Sequence, residues 1–134
     1  MRNRDVYPTV DIAIIDKEKN QLLLGRKHGQ FQFRFIGGFI DSTDLSASNA
    51  ALRELKEECG AVKVQDIQYL DTIKINDGRF NFGIITTFFQ CYYKSGKCVA
   101  KDDIVEIKWF DLDTLSKDDI VKAHHPLFDI LVNR

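Results

Sequence analysis

Three glutamates lie close together near the end of a predicted helix: Glu54, Glu57 and Glu58, in the segment RELKEECG of residues 53–60. Their spacing of three and four residues places the carboxylates on one side of a helix, where like charges repel each other. Carboxylates in a last helical turn also oppose the negative end of the helix dipole. Breaks of local rules tend to fall at functional sites. Oxygen ligands grouped in this way suit a divalent cation such as Mg²⁺, which binds substrate phosphates at its remaining positions.

The helix that must position these glutamates is predicted over residues 45–59. At about 100° per residue, five small or apolar residues form one stripe: Leu45, Ser48, Leu52, Leu55 and Cys59. We expect this stripe to pack on a sheet, while the three acids face outward together. Ala47 and Ala50 lie on the acidic side and would leave room there for a bulky ligand. Gly60 stands where a glycine ends a helix.

Strands are predicted before this helix. TVDIAIID (residues 9–16) and QLLLGRK (residues 21–27) are joined by a polar turn and predict a β-hairpin. FQFRFIGGFI (residues 31–40) alternates aromatic and polar residues and predicts a strand that breaks at Gly37 and Gly38. Alternate phenylalanines among Phe31, Phe33, Phe35 and Phe39 are expected in the core, and the others could stack on a base.

Strands are also predicted after the helix. IQYLDTIKI (residues 67–75) and FGIITTFFQCYY (residues 82–93) flank NDGRFN, whose Asp-Gly pair favours a hairpin turn. DIVEIKWFDL (residues 103–112) predicts a last strand, and residues 113–132 predict a helical stretch interrupted at Pro126. This order favours an α/β or α+β sandwich with a mixed sheet covered by helices.

Composition limits the kind of protein this is. The 134 residues are the size of one domain, expected over residues 1–134. The 19 basic and 20 acidic side chains leave a net charge of −1, which argues against binding nucleic acid by bulk charge. No signal-peptide core and no apolar run of about 20 residues is found, so we expect a cytoplasmic protein without a membrane partner. Cys59, Cys91 and Cys98 form no C-x-x-C pair and are expected to be reduced thiols.

The segment GG…RELKEECGA resembles the Nudix signature. Seven residues match that signature: Gly38, Arg53, Glu54, Leu55, Glu57, Glu58 and Gly60. Ala61 occupies its final apolar place. The flanking segments LLLGRK and EIKWFDLDTL resemble framework strands of the same family, so the resemblance covers nearly the whole chain. It implies a Nudix-type α/β/α sandwich with a central mixed β-sheet.

The loop before the helix departs from the signature. Counted from Gly38, the first acid of the signature falls at Asp44; counted back from Arg53, its place is Leu45, so the loop is one residue longer. Asp44 or Asp41 could replace that acid and support the loop. Asp44 could instead begin the helix, with Ser46 as the alternative N-cap residue.

The resemblance implies hydrolysis of a nucleoside diphosphate joined to another group, with Mg²⁺ or Mn²⁺ as cofactor. Carried over by position, Glu54, Glu57 and Glu58 would be metal-binding and catalytic residues. The carbonyl of Gly38 would be a further metal ligand, and Arg53 would orient the glutamates. The catalytic base comes either from the signature helix or from a later loop. The loop candidates are Asp103 and Glu106, which could equally be solvated residues of a strand edge.

Several residues are candidates for substrate binding. Arg26, Arg34 and Arg79 could each hold a phosphate, and Phe39, directly after the glycines, could stack on a base. The segments RFIGGFID and GRFNFGIITTFF resemble the Nudix domains that accompany nicotinamide mononucleotide adenylyltransferases and act on ADP-ribose. The expected partner is therefore a small nucleotide, ADP-ribose or a similar nucleotide sugar.

Two other functions remain open at this point. One is hydrolysis of (deoxy)nucleoside triphosphates, and the other is a catalytically silent nucleotide-binding module. The three histidines, His28, His124 and His125, show no metal-binding spacing and are expected to be solvated or capping residues. A homodimer is possible by analogy with relatives, although no segment of the sequence indicates an interface.

Overall fold

The computed structural model describes residues 5–134, so residues 1–4 of the expected single domain lie outside the described residues. Six strands form one sheet: β1 (Val6–Asp16), β2 (Gln21–Lys27), β3 (Ile36–Phe39), β4 (Lys63–Ile75), β5 (Gly83–Ser95) and β6 (Ile104–Asp111). The two helices are α1 (Ala47–Cys59) and α2 (His125–Val132). Neither of these helices has the length and apolar character needed to cross a membrane.

The sheet is mixed and has the order β4-β5-β1-β2-β6, with β3 paired to β1. β1 and β5 run parallel, whereas the other pairs are antiparallel. β2 and β3 share one edge of β1: β3 pairs with residues 9–12 and β2 with residues 14–16. The two predicted hairpins, β1–β2 and β4–β5, are therefore confirmed.

The two helices cover opposite faces of the sheet. On one face, Leu55 and Cys59 of α1 pack with Val10 and Ile12 of β1. On the other face, Leu127 and Leu131 of α2 pack in a cluster that contains Ala13 and Ile15 of β1 and Phe35. The alternation along β1 follows from the two-residue period of a strand. The predicted fold class, with a central mixed sheet between helices, is confirmed.

Helix α1 begins two residues later than the wheel predicted. The Ser46 hydroxyl accepts a hydrogen bond from the Asn49 N–H and is the N-cap, and Gly60 ends the helix at φ 75°. Leu45 therefore lies before the helix and is 91% exposed, so its place in the packing stripe was wrong. Leu52 is also exposed, whereas Ala50 is fully buried and leaves no room for a ligand.

Strand β3 begins at Ile36, so residues 31–35 of the predicted strand lie outside it, and it runs through the glycines where a break was predicted. Gly37 and Gly38 pair with Asp11 and Val10 of β1. A Cβ atom at Gly37 would lie 2.1 Å from the Val10 carbonyl oxygen. Glycine at residue 37 thus allows β1 and β3 to pair closely rather than ending the strand.

The end of the chain differs from the prediction in the same way. Two short 3-10 turns (Lys117–Asp119 and Lys122–His124) precede α2, and Pro126 lies in the first turn of that helix. Proline is tolerated there because the first N–H groups of a helix have no partner within it. Pro126 therefore helps to start α2 and does not interrupt it.

Candidate active site

A cavity of about 770 Å³ lies beside β3 and exposes groups from both faces of the sheet. The signature glutamates of α1, Gly37 and Gly38 form one part of its wall. Charged residues from other elements line the rest: Asp11, Lys27, Arg34, Asp77, Arg79 and Asp103. Carboxylates and arginines thus meet around one space large enough for a nucleotide-sized ligand.

The three glutamates have different environments. Glu58 is only 5% exposed and its Oε1 accepts a hydrogen bond from the Gly37 N–H at 3.2 Å. The side chain of Glu54 is 12% exposed, and that of Glu57 is 45% exposed. The expectation that all three acids face outward was wrong, because this side of α1 packs against β3.

Burial changes the protonation of two of these acids. Desolvation by burial raises the pKa of Glu58 to about 8, and the nearby Glu54 carboxylate raises it further. Desolvation also raises the pKa of Glu54 to about 7, with Glu57 contributing. Both groups would therefore gain from a cation that compensates their charge.

Gly38 makes room for a carboxylate. A Cβ atom at this position would lie 2.4 Å from Oε2 of Glu54, which is closer than side chains tolerate. The absence of a side chain at residue 38 is what allows Glu54 to lie against β3. Glycine at residue 38 of the signature thus has a steric role beside Glu54.

The Arg53 guanidinium links the loop to the helix. Its Nε and one terminal nitrogen donate to the two carboxylate oxygens of Asp44, at 2.9 and 2.8 Å. Its other terminal nitrogen donates to Glu54 Oε2 at 3.2 Å and to Glu57 Oε1 at 3.1 Å. The Phe39 carbonyl accepts a further bond at 3.0 Å. One arginine therefore fixes the loop and two of the glutamates together.

This geometry decides between the two alternatives for Asp44. Ser46 is the N-cap, and Asp44 instead supports the loop by accepting bonds from Arg53 and from the Asp41 N–H. The hydrogen bond with Arg53 lowers the pKa of Asp44, and the same bond raises the pKa of Arg53. Asp41 lies 3.7 Å from Arg53 and is 59% exposed, so its contact is weaker.

The three candidate arginines lie in different places. Arg34 is buried and lines the cavity, and burial lowers its pKa. Arg79 also lines the cavity and forms an ion pair with Asp77 at 2.7 Å. Arg26 pairs with Glu106 at 2.9 Å, and the described cavity wall includes neither of these two residues. The structure therefore separates Arg26 and Glu106 from the other candidates, because cross-strand pairing of β2 and β6 brings them to each other.

The second loop candidate, Asp103, does line the cavity. Its carboxylate forms an ion pair with Lys27 at 3.1 Å and is 61% exposed. Phe39 lies at the cavity as well, 39% exposed, with its ring 5.7 Å from that of Phe80. Phe80 in turn stacks on Phe82 at 4.8 Å. An aromatic group thus borders the cavity where stacking on a base was predicted.

Sequence reasoning missed two buried polar residues of the cavity. Asp11 and His124 are 7% and 6% exposed, and they approach each other at 3.7 Å. The expectation of a solvated His124 was wrong, because the residue is buried and its Nδ1 accepts a hydrogen bond from the Phe35 N–H. His124 does stand at the N-cap position of α2, although its side chain makes no capping hydrogen bond. Asp11 carried one signal, an acidic residue within the apolar strand TVDIAIID.

The comparison with protein families matches the NUDIX domain over residues 6–130. This range includes all six strands and both helices apart from the last residues of α2. The chain belongs to the Nudix family. A comparison with curated protein sequences gives no match.

Solved Nudix structures are similar to this chain. A MutT/nudix family protein from Enterococcus faecalis matches at 27% identity with a TM-score of 0.67, covering 83% of this chain and 46% of that one. The Nudix domain of Shewanella oneidensis NrtR, solved with ADP ribose, has 22% identity and a TM-score of 0.81, covering 98% and 90%. A bifunctional NMN adenylyltransferase/ADP ribose pyrophosphatase from Francisella tularensis has 19% identity and a TM-score of 0.78, covering 100% and 42%.

These Nudix structures differ in length from this chain. It spans about half of the Enterococcus protein and less than half of the Francisella protein. The similarity to the Shewanella and Francisella structures concerns the fold, which agrees with the strand order and helix placement described above. The resemblance predicted from the sequence is confirmed at the level of the family.

The Nudix glutamates have the donor chemistry for a divalent metal. Within residues 5–134, no group of three His, Cys, Asp or Glu side chains is arranged to hold a metal ion as it stands. Arg53 holds Glu54 and Glu57, while the Gly37 N–H holds Glu58. The carboxylates are nevertheless hard oxygen ligands, and burial raises the pKa of both Glu54 and Glu58. The residues therefore fit Mg²⁺ or Mn²⁺ once these side chains turn toward the ion.

Proposed function

We propose that this Nudix domain hydrolyses the pyrophosphate bond of a nucleoside diphosphate linked to another group, with ADP-ribose or a similar nucleotide sugar as substrate. One observation carries the proposal. The cavity brings the three signature glutamates to the same space as the buried Arg34 and the exposed Arg79. Binding a pyrophosphate requires cations, which the carboxylates can hold. It also requires arginines on the opposite side, which bind the phosphate oxygens.

Glu54, Glu57, Glu58 and the Gly38 carbonyl would hold Mg²⁺ or Mn²⁺. When bound, such ions neutralise phosphate oxygens and lower the pKa of a coordinated water. The chain itself contributes orientation. Arg53 fixes Glu54 and Glu57 by hydrogen bonds of 3.2 and 3.1 Å, and Asp44 fixes Arg53 in turn. This chain of contacts limits the freedom of the carboxylates before the substrate binds.

The remaining roles follow from position and charge. Arg34 and Arg79 would bind the phosphates, and Phe39 would contact the substrate at the cavity edge. Asp103 is the better loop candidate for the base that accepts a proton from the attacking water, because it lines the cavity and Glu106 does not. Glu106 instead neutralises Arg26 on the surface.

The choice of ADP-ribose draws support from the neighbours. The Shewanella structure is titled as a complex with ADP ribose, and the Francisella structure as an ADP ribose pyrophosphatase joined to an adenylyltransferase. Both align with at least 98% of this chain. The segment RFIGGFID, which favoured ADP-ribose from the sequence, forms β3 and the wall beside the glutamates.

A panel assay tests the proposal. The purified chain is incubated with ADP-ribose, other nucleotide sugars, dinucleotides and triphosphates, each with Mg²⁺ or Mn²⁺, and the products are separated by chromatography. We expect release of AMP from ADP-ribose, a strict requirement for metal, and loss of turnover in Glu57→Gln. No turnover of any compound would overturn the assignment as a hydrolase and leave the silent binding module.

One observation also favours a second class of substrate. Two cavity arginines, Arg34 and Arg79, could neutralise the additional charge of a (deoxy)nucleoside triphosphate. Preference for triphosphates in the same panel would overturn ADP-ribose while keeping the reaction type. The retention of all three glutamates argues against the silent module. A module that no longer binds metal could lose its metal-binding residues without harm.

A further inference from the structure

Arg79 is paired with an acid of the chain itself. Its Nε–H and one terminal N–H donate to the Asp77 carboxylate at 3.0 and 2.7 Å, and its backbone N–H donates to the same carboxylate at 3.0 Å. The guanidinium also lies over the Phe80 ring, 4.9 Å from the ring centre. Paired hydrogen bonds between an arginine and a carboxylate are among the stronger ones in proteins. Asp77 therefore occupies donors that Arg79 would otherwise offer to a phosphate.

The Asp77 carboxylate is buried at the cavity wall, although Asp77 lies in the turn between β4 and β5. Its side chain is only 8% exposed. Burial alone would raise the pKa of Asp77, but hydrogen bonds from Arg79 and the charges of Arg79 and Arg34 bring the pKa below its usual value. Asp77 is therefore ionised at neutral pH. An aspartate that served only the turn could keep its charge in water, because burying a charge is unfavourable.

Arg34 differs from Arg79 because it lacks an acidic partner. Arg34 is 6% exposed, and its Nε has no hydrogen-bond acceptor among the described residues. None of the ion pairs found in residues 5–134 includes it. Burial and the charge of Arg79 lower the pKa of Arg34, whereas the charges of Asp77 and Asp11 raise it. A buried charged donor without an acceptor is unfavourable, so we expect a phosphate of the ligand to supply the acceptor.

The other cations of the described cavity wall are also paired with acids. Lys27 pairs with Asp103 at 3.1 Å, and Arg53 pairs with Asp44 at 2.8 Å. Substrates differ in the charge that such a wall must neutralise. A phosphate that bridges two groups carries one negative charge, whereas a terminal phosphate carries about −1.5 to −2 at pH 7. Within residues 5–134, the wall therefore offers Arg34 as its cation without an acidic partner, which suits a bridged diphosphate better than a triphosphate.

We propose that Asp77 is a specificity residue, which favours a bridged diphosphate over a triphosphate by occupying Arg79 and by adding its own negative charge to the cavity. The inference rests on the proposed function and names the residue that disfavours the second class of substrate. The terminal phosphate of a triphosphate would have to displace Asp77 from Arg79 and would then lie near the released carboxylate. A bridged diphosphate can contact Arg34 and the remaining donors of Arg79 while the Asp77–Arg79 pair stays intact.

Asp77→Asn tests this role because it removes the charge and keeps the turn. The asparagine side-chain oxygen can still accept the Arg79 backbone N–H. Turnover of ATP and of ADP-ribose is measured with Mn²⁺. We expect the ratio of kcat/KM for ATP to kcat/KM for ADP-ribose to rise at least about tenfold, since like charges a few ångströms apart near a protein surface repel each other by more than that. Damage to the fold alone would lower both values, and an unchanged ratio would overturn the proposal.

A double variant shows whether the effect depends on the released Arg79. Asp77→Asn combined with Arg79→Gln replaces the ion pair by two neutral side chains, so the pair has the same net charge as in the native chain. We expect the ratio for ATP over ADP-ribose to return to within about threefold of the native ratio, because the cation that Asp77→Asn releases is gone. A ratio that stays raised in the double variant would overturn the role of Arg79 and with it the proposal.

Binding without metal separates this inference from the proposed function. AMP, ADP and ATP are titrated in EDTA into the native chain and into Asp77→Asn, with affinity measured by calorimetry. The three compounds share one nucleoside, so differences between them report the charge of the phosphate chain. We expect Asp77→Asn to increase the affinity for ATP at least about tenfold more than the affinity for AMP.

Asp129→Asn is the matched control for both experiments. Asp129 also pairs with a cation, Lys117, but this pair is on the surface and does not line the cavity. The control should keep the native ratio and the native affinities. Equal gains in affinity for AMP and ATP in Asp77→Asn would overturn selection by charge, even if the panel assay finds hydrolysis. A selective gain for ATP would support it even if the panel assay finds none and the assignment as a hydrolase falls.

Discussion

Burial distinguishes the three signature glutamates at the scale of single residues. All three lie within five consecutive residues of α1, yet Glu58 is 5% exposed and the side chain of Glu57 is 45% exposed. The charged form of a buried carboxylate is destabilised, whereas an exposed one remains hydrated. Glu58 therefore holds its proton to a higher pH than an ordinary glutamate. The same desolvation that raises its pKa also strengthens its attraction to a cation.

This burial predicts how the metal-free protein responds to pH. The pKa of Glu58 is raised from 4.5 to about 8 in the fold, so between these values the native state holds a proton that the unfolded chain has lost. Stability in EDTA should then fall as pH rises from about 4.5 to about 8. Glu58→Gln carries no charge and should be more stable than the native chain at pH 8, by roughly 1–4 kcal/mol, since one pKa unit is about 1.4 kcal/mol. Urea unfolding at several pH values measures the free energy of unfolding of both proteins.

The same comparison includes Glu57→Gln as its control. Because the side chain of Glu57 is 45% exposed, its loss should change stability by less than about 0.5 kcal/mol at any pH. Both variants should lose about 100-fold or more in kcat, because even residues that only orient metal ligands are worth about 10–100-fold. A destabilised Glu58→Gln at pH 8 would mean that the carboxylate is structural.

The adjacent glycines predict two different kinds of damage. In Gly37→Ala the new Cβ would meet the Val10 backbone oxygen at 2.1 Å, so β1 and β3 must separate and stability should fall by about 3 kcal/mol or more. In Gly38→Ala the Cβ would meet the Glu54 carboxylate at 2.4 Å, and that flexible group can turn away. We expect Gly38→Ala to keep most of its stability and lose at least about tenfold in kcat. Thermal unfolding and turnover of the pair measure this; equal destabilisation would contradict it.

At the scale of elements, local sequence signals were sufficient for strands and turns with strong patterns. The β1–β2 and β4–β5 hairpins follow from apolar runs around polar or Asp-Gly turns, and Gly60 marks the end of α1. The start of α1 was misplaced because Leu45 continues an apolar wheel but has no sheet beneath it. β3 was placed too early, before the glycines, because Gly37 and Gly38 serve contacts with β1 and Glu54 that the local sequence does not contain.

The sequence likewise indicated some residues of the candidate site and missed others. The glutamates, Arg53 and Gly38 lie within one short segment, so spacing alone could group them. Asp11 and His124 are separated by more than a hundred residues and meet only through the packing of α2 beneath β1. Arg26 and Glu106 show the reverse case. The sequence made them candidates for substrate binding and for the catalytic base, but cross-strand pairing of β2 and β6 joins them in an ion pair. Contacts between residues that are far apart in the chain leave no local pattern in a single sequence.

The lengthened loop before α1 gives a prediction at this scale. Asp44 accepts two hydrogen bonds from Arg53, whereas Asp41 lies 3.7 Å from it and is exposed. Asp44→Asn should free Arg53 from the loop and reduce kcat about tenfold, with a smaller change in KM. Asp41→Asn should leave kcat within about twofold of the native value. Steady-state kinetics of both variants decide the matter, and equal losses would show that the loop does not act through Asp44.

At the scale of the whole molecule, the sheet separates two polar groups that nevertheless line the same cavity. The metal-binding candidates lie on the α1 side, and the Asp11–His124 pair lies on the α2 side. The cavity includes residues from both groups because β3 is only 4 residues long and carries glycines at its centre. Because Gly37 and Gly38 carry no side chains, Asp11 on one face and Glu54 on the other both lie close to β3.

Metal binding should therefore stabilise the whole fold in a pH-dependent manner. Mn²⁺ at about 100 times its Kd adds about 2.7 kcal/mol to a single-site protein, which for 134 residues raises Tm by about 10 °C. The shift should be larger at pH 8 than at pH 6, because the raised pKa values of Glu54 and Glu58 leave both acids largely protonated at pH 6. Calorimetric scans with and without Mn²⁺ measure it, with Asp129→Asn as a control that keeps the full shift. Glu58→Gln should lose most of the rise in Tm that Mn²⁺ causes. An unchanged rise in that variant would mean that the metal binds elsewhere.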